Sequence, residues 1–188
     1  MKILKKIDYN APVVLTFALV SFLVLILGYI TNGGSTALLF CVYRAPFSDI
    51  FMYPRLFLHV LGHANLEHYV NNMMMLLLVG PMLEEKYGSR NMLIMMTITA
   101  FVTGLINTLF FPTALLGASG IVFMMIILSS VTCVKDDKIP LTLIVIVILY
   151  LGEQIADGLF VKDNISQLTH IVGGICGGVF GLTVFKDC

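Results

Sequence analysis

Charge is scarce in this chain. Of its 188 residues only 12% are Asp, Glu, Lys or Arg, about half the share expected of a soluble domain. The few charges collect in short islands between long apolar runs, a pattern that excludes an ordinary water-soluble globule and points to a polytopic membrane protein. Eleven acidic residues balance eleven basic ones, so no surplus of positive charge is available to a nucleic-acid partner. Four cysteines (Cys41, Cys133, Cys176, Cys188) have neither metal-ligand nor disulfide spacing and read as bystanders. The pattern His-Glu-x-x-His and any Cys/His cluster are missing, which argues against a zinc site. Low-complexity tracts and composition breaks are missing too, so residues 1–188 read as one domain.

What is abundant is apolar surface: 59% of residues are hydrophobic and the mean hydropathy is +0.98. Six apolar segments run over about residues 13–30, 66–83, 92–111, 118–134, 140–152 and 167–185. The expected fold is therefore an all-α membrane protein, a bundle of six transmembrane helices. The first segment follows Lys2, Lys5 and Lys6 as a signal peptide would. Its length and the want of a clear small-residue cleavage site favour a retained anchor. Lys/Arg bias sets the orientation. With the N-terminus inside, Lys2, Lys5, Lys6, Lys86, Arg90, Lys135, Lys138 and Lys186 are cytoplasmic, against Arg44, Arg55 and Lys162 outside. Both termini are thus expected in the cytoplasm. The connection over about residues 31–62 is long and apolar, and short helices lying in the outer interface are expected there.

Polar side chains inside apolar spans are costly and mark function. Three such groups stand out: His68 with Asn71 and Asn72, Ser119, and His170. Each precedes a charge that ends its segment (Glu84, Lys135, Lys186) by sixteen residues. At ~1.5 Å per residue, each side chain sits about 24 Å above the inner interface, within a hydrocarbon core about 30 Å thick. Three helices thus carry polar groups at one level.

Ser119 lies in Leu116-Gly117-Ala118-Ser119-Gly120, after the break Phe111-Pro112-Thr113. Irregular backbone at membrane depth persists only inside protein or beside a water-filled cavity. A helix starting there aims unpaired N–H groups at the site, which suits a developing oxyanion. Gly173, Gly177 and Gly181, with Gly174 and Gly178, form a smooth stripe after His170 along which another helix approaches closely. If that helix is the Ser119 span, an imidazole meets a hydroxyl, which is what acyl transfer by serine needs. His68 and Asn72 are four apart and project from one face, able to donate to one point. Asn71 points about 100° away. Alone, the serine segment also reads as a packing notch, and His170 as a hydrogen-bonded structural histidine. His63 and His68, five apart and about 140° around a helix, suit shared metal ligation poorly.

Taken together, these residues resemble the rhomboid proteases. His63-Ala64-Asn65-Leu66-Glu67-His68-Tyr69-Val70-Asn71-Asn72 is similar to the family's HxxxxHxxxN pattern. Leu83-Glu84-Glu85-Lys86-Tyr87-Gly88-Ser89 is similar to its LExxxGS turn, and Gly117-Ala118-Ser119-Gly120 to its GxSG motif. The run from His170 to Gly181 resembles its His-and-glycine last span, and Arg55 its first-loop arginine. The resemblance implies an intramembrane serine endopeptidase with a Ser–His dyad, no catalytic acid and no cofactor or metal. By it, Ser119 is the nucleophile and His170 the general base. His68, Asn72 and the Ser119 backbone N–H form the oxyanion hole. His63, nearer the surface, binds water or substrate; Phe123 packs against the base; Gly117 and Gly120 meet backbone requirements; Glu84 and Arg55 are structural. It also implies single-span membrane-protein substrates that enter sideways from the lipid bilayer, past span five or the loop of about residues 153–166. The site would open to the outside of a plasma membrane, bacterial or archaeal to judge by the short N-terminus. Two departures stand out. Pro54 replaces the family's usual Trp, so the first loop is expected to be anchored differently. Met124 and Met125 follow a stretch where many members keep small residues, so looser packing of span four is expected. The alternative reading is a catalytically inactive relative that binds membrane clients; such relatives typically lose Ser or His, and this chain keeps both.

Overall fold

A computed structural model describes residues 8–131 and 164–184, with Leu141, Ile144, Val145, Ile148 and Leu149 between them. The expected fifth span and the loop of about residues 153–166 lie almost wholly outside the described residues. Helices are α1 (Pro12–Ile30), α2 (Gly34–Leu39), α3 (Met52–Leu58), α4 (Leu66–Tyr87), α5 (Ser89–Phe110), α6 (Ser119–Val131) and α7 (Asn164–Val179). A 3₁₀ turn, His59–Leu61, follows α3, and a π turn, Phe180–Val184, follows α7. Among the described residues there is no β-strand, only one isolated antiparallel bridge between Val42 and Leu115. Two of the described helices, α1 and α5, are long and apolar enough to cross a membrane by length and composition.

Each helix start has a local cause. Pro12 opens α1, where its missing N–H costs nothing. The next two N–H groups, of Val13 and Val14, donate to the two carboxylate oxygens of Glu84 at 2.9 Å each. Asn65 caps α4 by accepting from the His68 N–H at 2.8 Å. Gly88, at φ +79°, turns the chain directly from α4 into α5. Helix α4 runs on to Tyr87, and Glu84 near its end is not solvated. It is 3% exposed, occupied with the start of α1.

Helix α6 is buried nearly all round and forms the centre, with Ile121, Met124, Met125 and Leu128 against Leu76, Leu83, Met92 and Met95 of α4 and α5. Met124 and Met125, in the span where looser packing is expected, are both fully buried. Unbranched methionine reaches into irregular gaps that small residues would leave open. The outward faces are apolar instead, with Leu23, Ile30 and Leu78 widely exposed. An apolar outer face over an apolar core fits a hydrocarbon solvent.

The first loop does carry short helices, α2 and α3, with Phe47, Ile50 and Tyr53 exposed at its edge. Its anchor is Arg55, buried beneath the loop. The guanidinium donates to Asp49 Oδ2 and to the Leu38 carbonyl, each at 2.8 Å, and lies 4.3 Å from the centre of the Tyr43 ring. Tyr43 and Asp49 thus hold the arginine in a loop that has Pro54 at the position before it.

Candidate active site

Helix α6 begins at Ser119, and the chain reaches it through a non-helical stretch whose backbone is held from outside. Leu115 exchanges both main-chain hydrogen bonds with Val42, at 2.8 and 2.9 Å. The Gly117 N–H donates to the His59 carbonyl at 3.0 Å, and the Thr113 carbonyl accepts from Asn107 Nδ2 at 3.0 Å. Gly117 sits at φ +120°, a conformation side-chain-bearing residues rarely adopt.

This bend brings the α4 residues to the serine. A Cβ on Gly117 would lie 2.8 Å from both Nε2 and Cε1 of His68, and 3.9 Å from Asn72 Nδ2. His68 and Asn72 therefore flank the backbone two residues before Ser119. Asn72 is held by donating Nδ2–H to the His68 carbonyl at 3.0 Å. The Ala64 N–H approaches His68 Nδ1 at 3.5 Å. With Nδ1 as acceptor, the ring proton belongs on Nε2, the atom beside Gly117.

Helix α7 meets α6 next to Ser119. A Cβ on Gly173 would run into the Gly120 carbonyl, and one on Gly177 into the Met124 carbonyl, so these helices touch backbone to backbone. The crossing is one residue after Ser119 and one turn after His170. The His170 ring packs on Phe123 at a tilt, centroids 4.4 Å and planes 41° apart, and a Cβ on Gly120 would lie 3.2 Å from Thr169 Cγ2. Ser119, His68, Asn72, His170, Phe123, Gly117 and Gly120 are thus gathered at one end of the α4–α6–α7 core.

His63 lies just before α4, packed against His68. It is 3% exposed, its ring edge-on to His68 and Tyr69 at 5.1 and 5.5 Å. Its Nδ1–H donates to the Leu61 carbonyl at 3.2 Å, and Nε2 is buried with no partner among the described residues. Burial, with the neighbouring His68, pushes its pKa down to about 4.

The sequence reading missed His59 and a polar row on α5. His59 is fully buried, donates Nδ1–H to the Arg55 carbonyl at 3.1 Å, and has Nε2 3.4 Å from Thr103 Oγ1. Burial lowers its pKa to about 4. Thr99, Thr103 and Asn107, each four residues apart and at most 2% exposed, form a buried row along α5, with Thr103 nearest His59. The available signals were a histidine four residues before His63 and a four-residue polar spacing inside an apolar span.

Among the described residues no cluster of three or more His, Cys, Asp or Glu could hold a metal. The chemistry on hand is a hydroxyl at a helix N-terminus, imidazoles, a carboxamide and backbone N–H groups. Compared with known families, residues 51–187 match the model of the Rhomboid domain. The comparison with curated proteins returned no match.

Proposed function

The chain belongs to the rhomboid family, and from that premise we propose that it is an intramembrane serine endopeptidase working through Ser119 and His170. Members of the family act on membrane proteins within the bilayer, and the α-helical bundle with apolar outer faces is the setting for such chemistry. In the proposed reaction His170 takes the Ser119 proton as Oγ attacks the scissile carbonyl carbon. The oxyanion that forms accepts from His68 Nε2–H, Asn72 Nδ2–H and the Ser119 N–H. Collapse breaks the C–N bond, with His170 returning its proton to the leaving amine. Water, deprotonated by the same imidazole, then hydrolyses the acyl-enzyme. Substrates are single-span proteins whose helices unwind near the outer face, where the site opens from a plasma membrane with both termini inside.

The observation that carries this reading is the Gly117 bend. A glycine at φ +120°, with the His68 imidazole against its α-carbon, leaves the donors beside the backbone that precedes the nucleophile. Such donors, fixed before reaction, have no comparable use in a merely packed bundle. Purified protein incubated with a single-span substrate should cut it, and Ser119→Ala and His170→Ala should each abolish cutting without loss of expression. Ser119 should take up a fluorophosphonate or isocoumarin probe. Cleavage that persists in both variants, or a folded sample that resists the probe, would overturn the proposal, the latter in favour of a client-binding relative.

A further inference from the structure

Ser119 is followed by a glycine whose missing side chain is replaced by methyl groups from two other helices. Where a Cβ would stand on Gly120, Thr169 Cγ2 of α7 is 3.2 Å away and Thr103 Cγ2 of α5 is 3.3 Å away. Both threonines are buried. Neither methyl is the loose end of a long side chain. Threonine is stiff at its first torsion, and that of Thr103 is fixed further by its hydroxyl, which donates to the Thr99 carbonyl at 2.8 Å. On a third side Gly173, about one turn after Thr169, meets the Gly120 main chain directly.

These contacts stand next to the two side chains of the proposed reaction. Gly120 follows Ser119 and Thr169 precedes His170. A shift between α6 and α7 at this point therefore passes to the hydroxyl and to the imidazole across a single residue each. Thr103 also touches what holds the other flank of the serine. Its Oγ1 lies 3.4 Å from His59 Nε2, and the His59 carbonyl accepts from the Gly117 N–H at 3.0 Å. One residue of α5 is thus in contact with the support of Ser119 on both sides.

We infer that Thr169 and Thr103 are positioning residues: their methyl groups close on Gly120 and set how far Ser119 stands from His170. The inference rests on the reading of Ser119 and His170 as the working pair, and neither threonine takes part in the chemistry. The test moves the methyl groups in the full chain, with cleavage of a single-span substrate as the readout. Thr169→Ala leaves a gap beside Gly120 and should lower kcat by ~10-fold or more with KM little changed, since misplacement by ~1 Å costs up to ~10²-fold. Thr169→Val keeps the methyl, loses the hydroxyl and should recover most of that rate. Thr103→Ser loses only the methyl and should be slowed as Thr169→Ala is. Gly120→Ala adds a methyl where two already crowd and should also lose ~10-fold or more. Combined with Thr169→Ala, which exchanges one methyl for another, it should be faster than Gly120→Ala alone. The rate at which a fluorophosphonate labels Ser119, taken per folded molecule, should follow the same order. Melting temperatures identify any variant that has failed to fold, and Thr169→Val against Thr103→Ser decides the matter if an alanine variant does. A wild type that neither cuts nor labels would overturn the proposed function and this inference with it. An active wild type would overturn this inference alone if Thr169→Ala and Thr103→Ser matched its rate. So would a Thr169→Val no faster than Thr169→Ala, or a double variant no faster than Gly120→Ala.

Discussion

Gly117→Ala is the sharpest perturbation available, because it adds one methyl group and removes no chemical function. The residue sits at φ +120°, where alanine is strained, at a cost of about 1–3 kcal/mol if the backbone holds. The new Cβ would stand 2.8 Å from His68 Nε2 and Cε1. Ordinary carbon contacts need ~3.5 Å, so the imidazole must retreat by ~0.7 Å or the bend must open. Under the proposed mechanism, either movement takes a donor away from the oxyanion. Loss of one such donor costs ~10²–10³ in kcat, and misplacement by ~1 Å has a similar effect. Kinetics on a single-span substrate in liposomes should therefore show kcat falling by ~10²–10³ with KM little changed, since the interaction is made only in the transition state. The route through His68 is testable with His68→Ala and the double variant. If Gly117→Ala acts by displacing that ring, the two losses will not multiply. A Gly117→Ala enzyme within ~3-fold of wild type, or a double variant whose losses multiply fully, would refute the argument from donor placement.

The glycines of α7 should divide into two classes. Gly174→Ala and Gly178→Ala meet only Ile127 side-chain atoms at 3.4 and 3.9 Å, and should be neutral or stabilise by about 0.5–1 kcal/mol; Gly173→Ala and Gly177→Ala, facing backbone carbonyls, should part α6 from α7 and cost ~10²-fold in activity. Glu84→Ala strips the Val13 and Val14 amides of their acceptor and should lower stability by about 1–3 kcal/mol per uncompensated amide, read as a drop in Tm with the probe-labelling chemistry retained in the folded fraction. His59 is held neutral by burial, with its pKa lowered to about 4 from about 6.5 when unfolded. Its contribution to stability is thus complete above the unfolded value and lost as pH falls through the window between them, about 2 kcal/mol by about pH 5. A Tm that does not fall on that acidification would show that His59 is not kept neutral. Phe123→Ala removes the ring under His170, 4.4 Å away, and should lower kcat by roughly 2–10-fold, the worth of an aromatic contact of 0.5–1.5 kcal/mol; unchanged kinetics would deny it any part in orienting the imidazole.

What the sequence could reveal depended on how strongly each residue violated its setting. Ser119, His170, His68 and Asn72 were visible because polar groups in apolar spans need a reason. The α5 row was not, because Thr99 and Thr103 bond their own helix, to the carbonyls of Met95 and Thr99, at 2.8 Å each. A threonine satisfied by its own backbone hardly disturbs the apolar pattern of a span. Glu84 read as the end of a span because a carboxylate at that position normally meets water. Its real partners lie 70 and 71 residues away in sequence, a pairing that no local pattern encodes. Methionines 124 and 125 are fully buried, as their unbranched and flexible side chains allow.

The missed residues have one purpose in common. A segment that leaves helical geometry within the bundle, as residues 111–118 do before Ser119, carries N–H and C=O groups that lipid will not satisfy. Its partners must therefore come from neighbouring elements. Asn107, one turn from the end of α5, accepts from the Phe111 N–H through its main-chain carbonyl at 2.9 Å and donates through its side chain to the Thr113 carbonyl. Val42, in the loop anchored by Arg55, pairs with Leu115, and the His59 carbonyl receives the Gly117 N–H. Three separate regions of sequence thus fix the strained glycine against His68. The first loop is then part of what shapes the surroundings of Ser119, and its buried arginine and histidine belong to the same construction as the serine proposed as nucleophile.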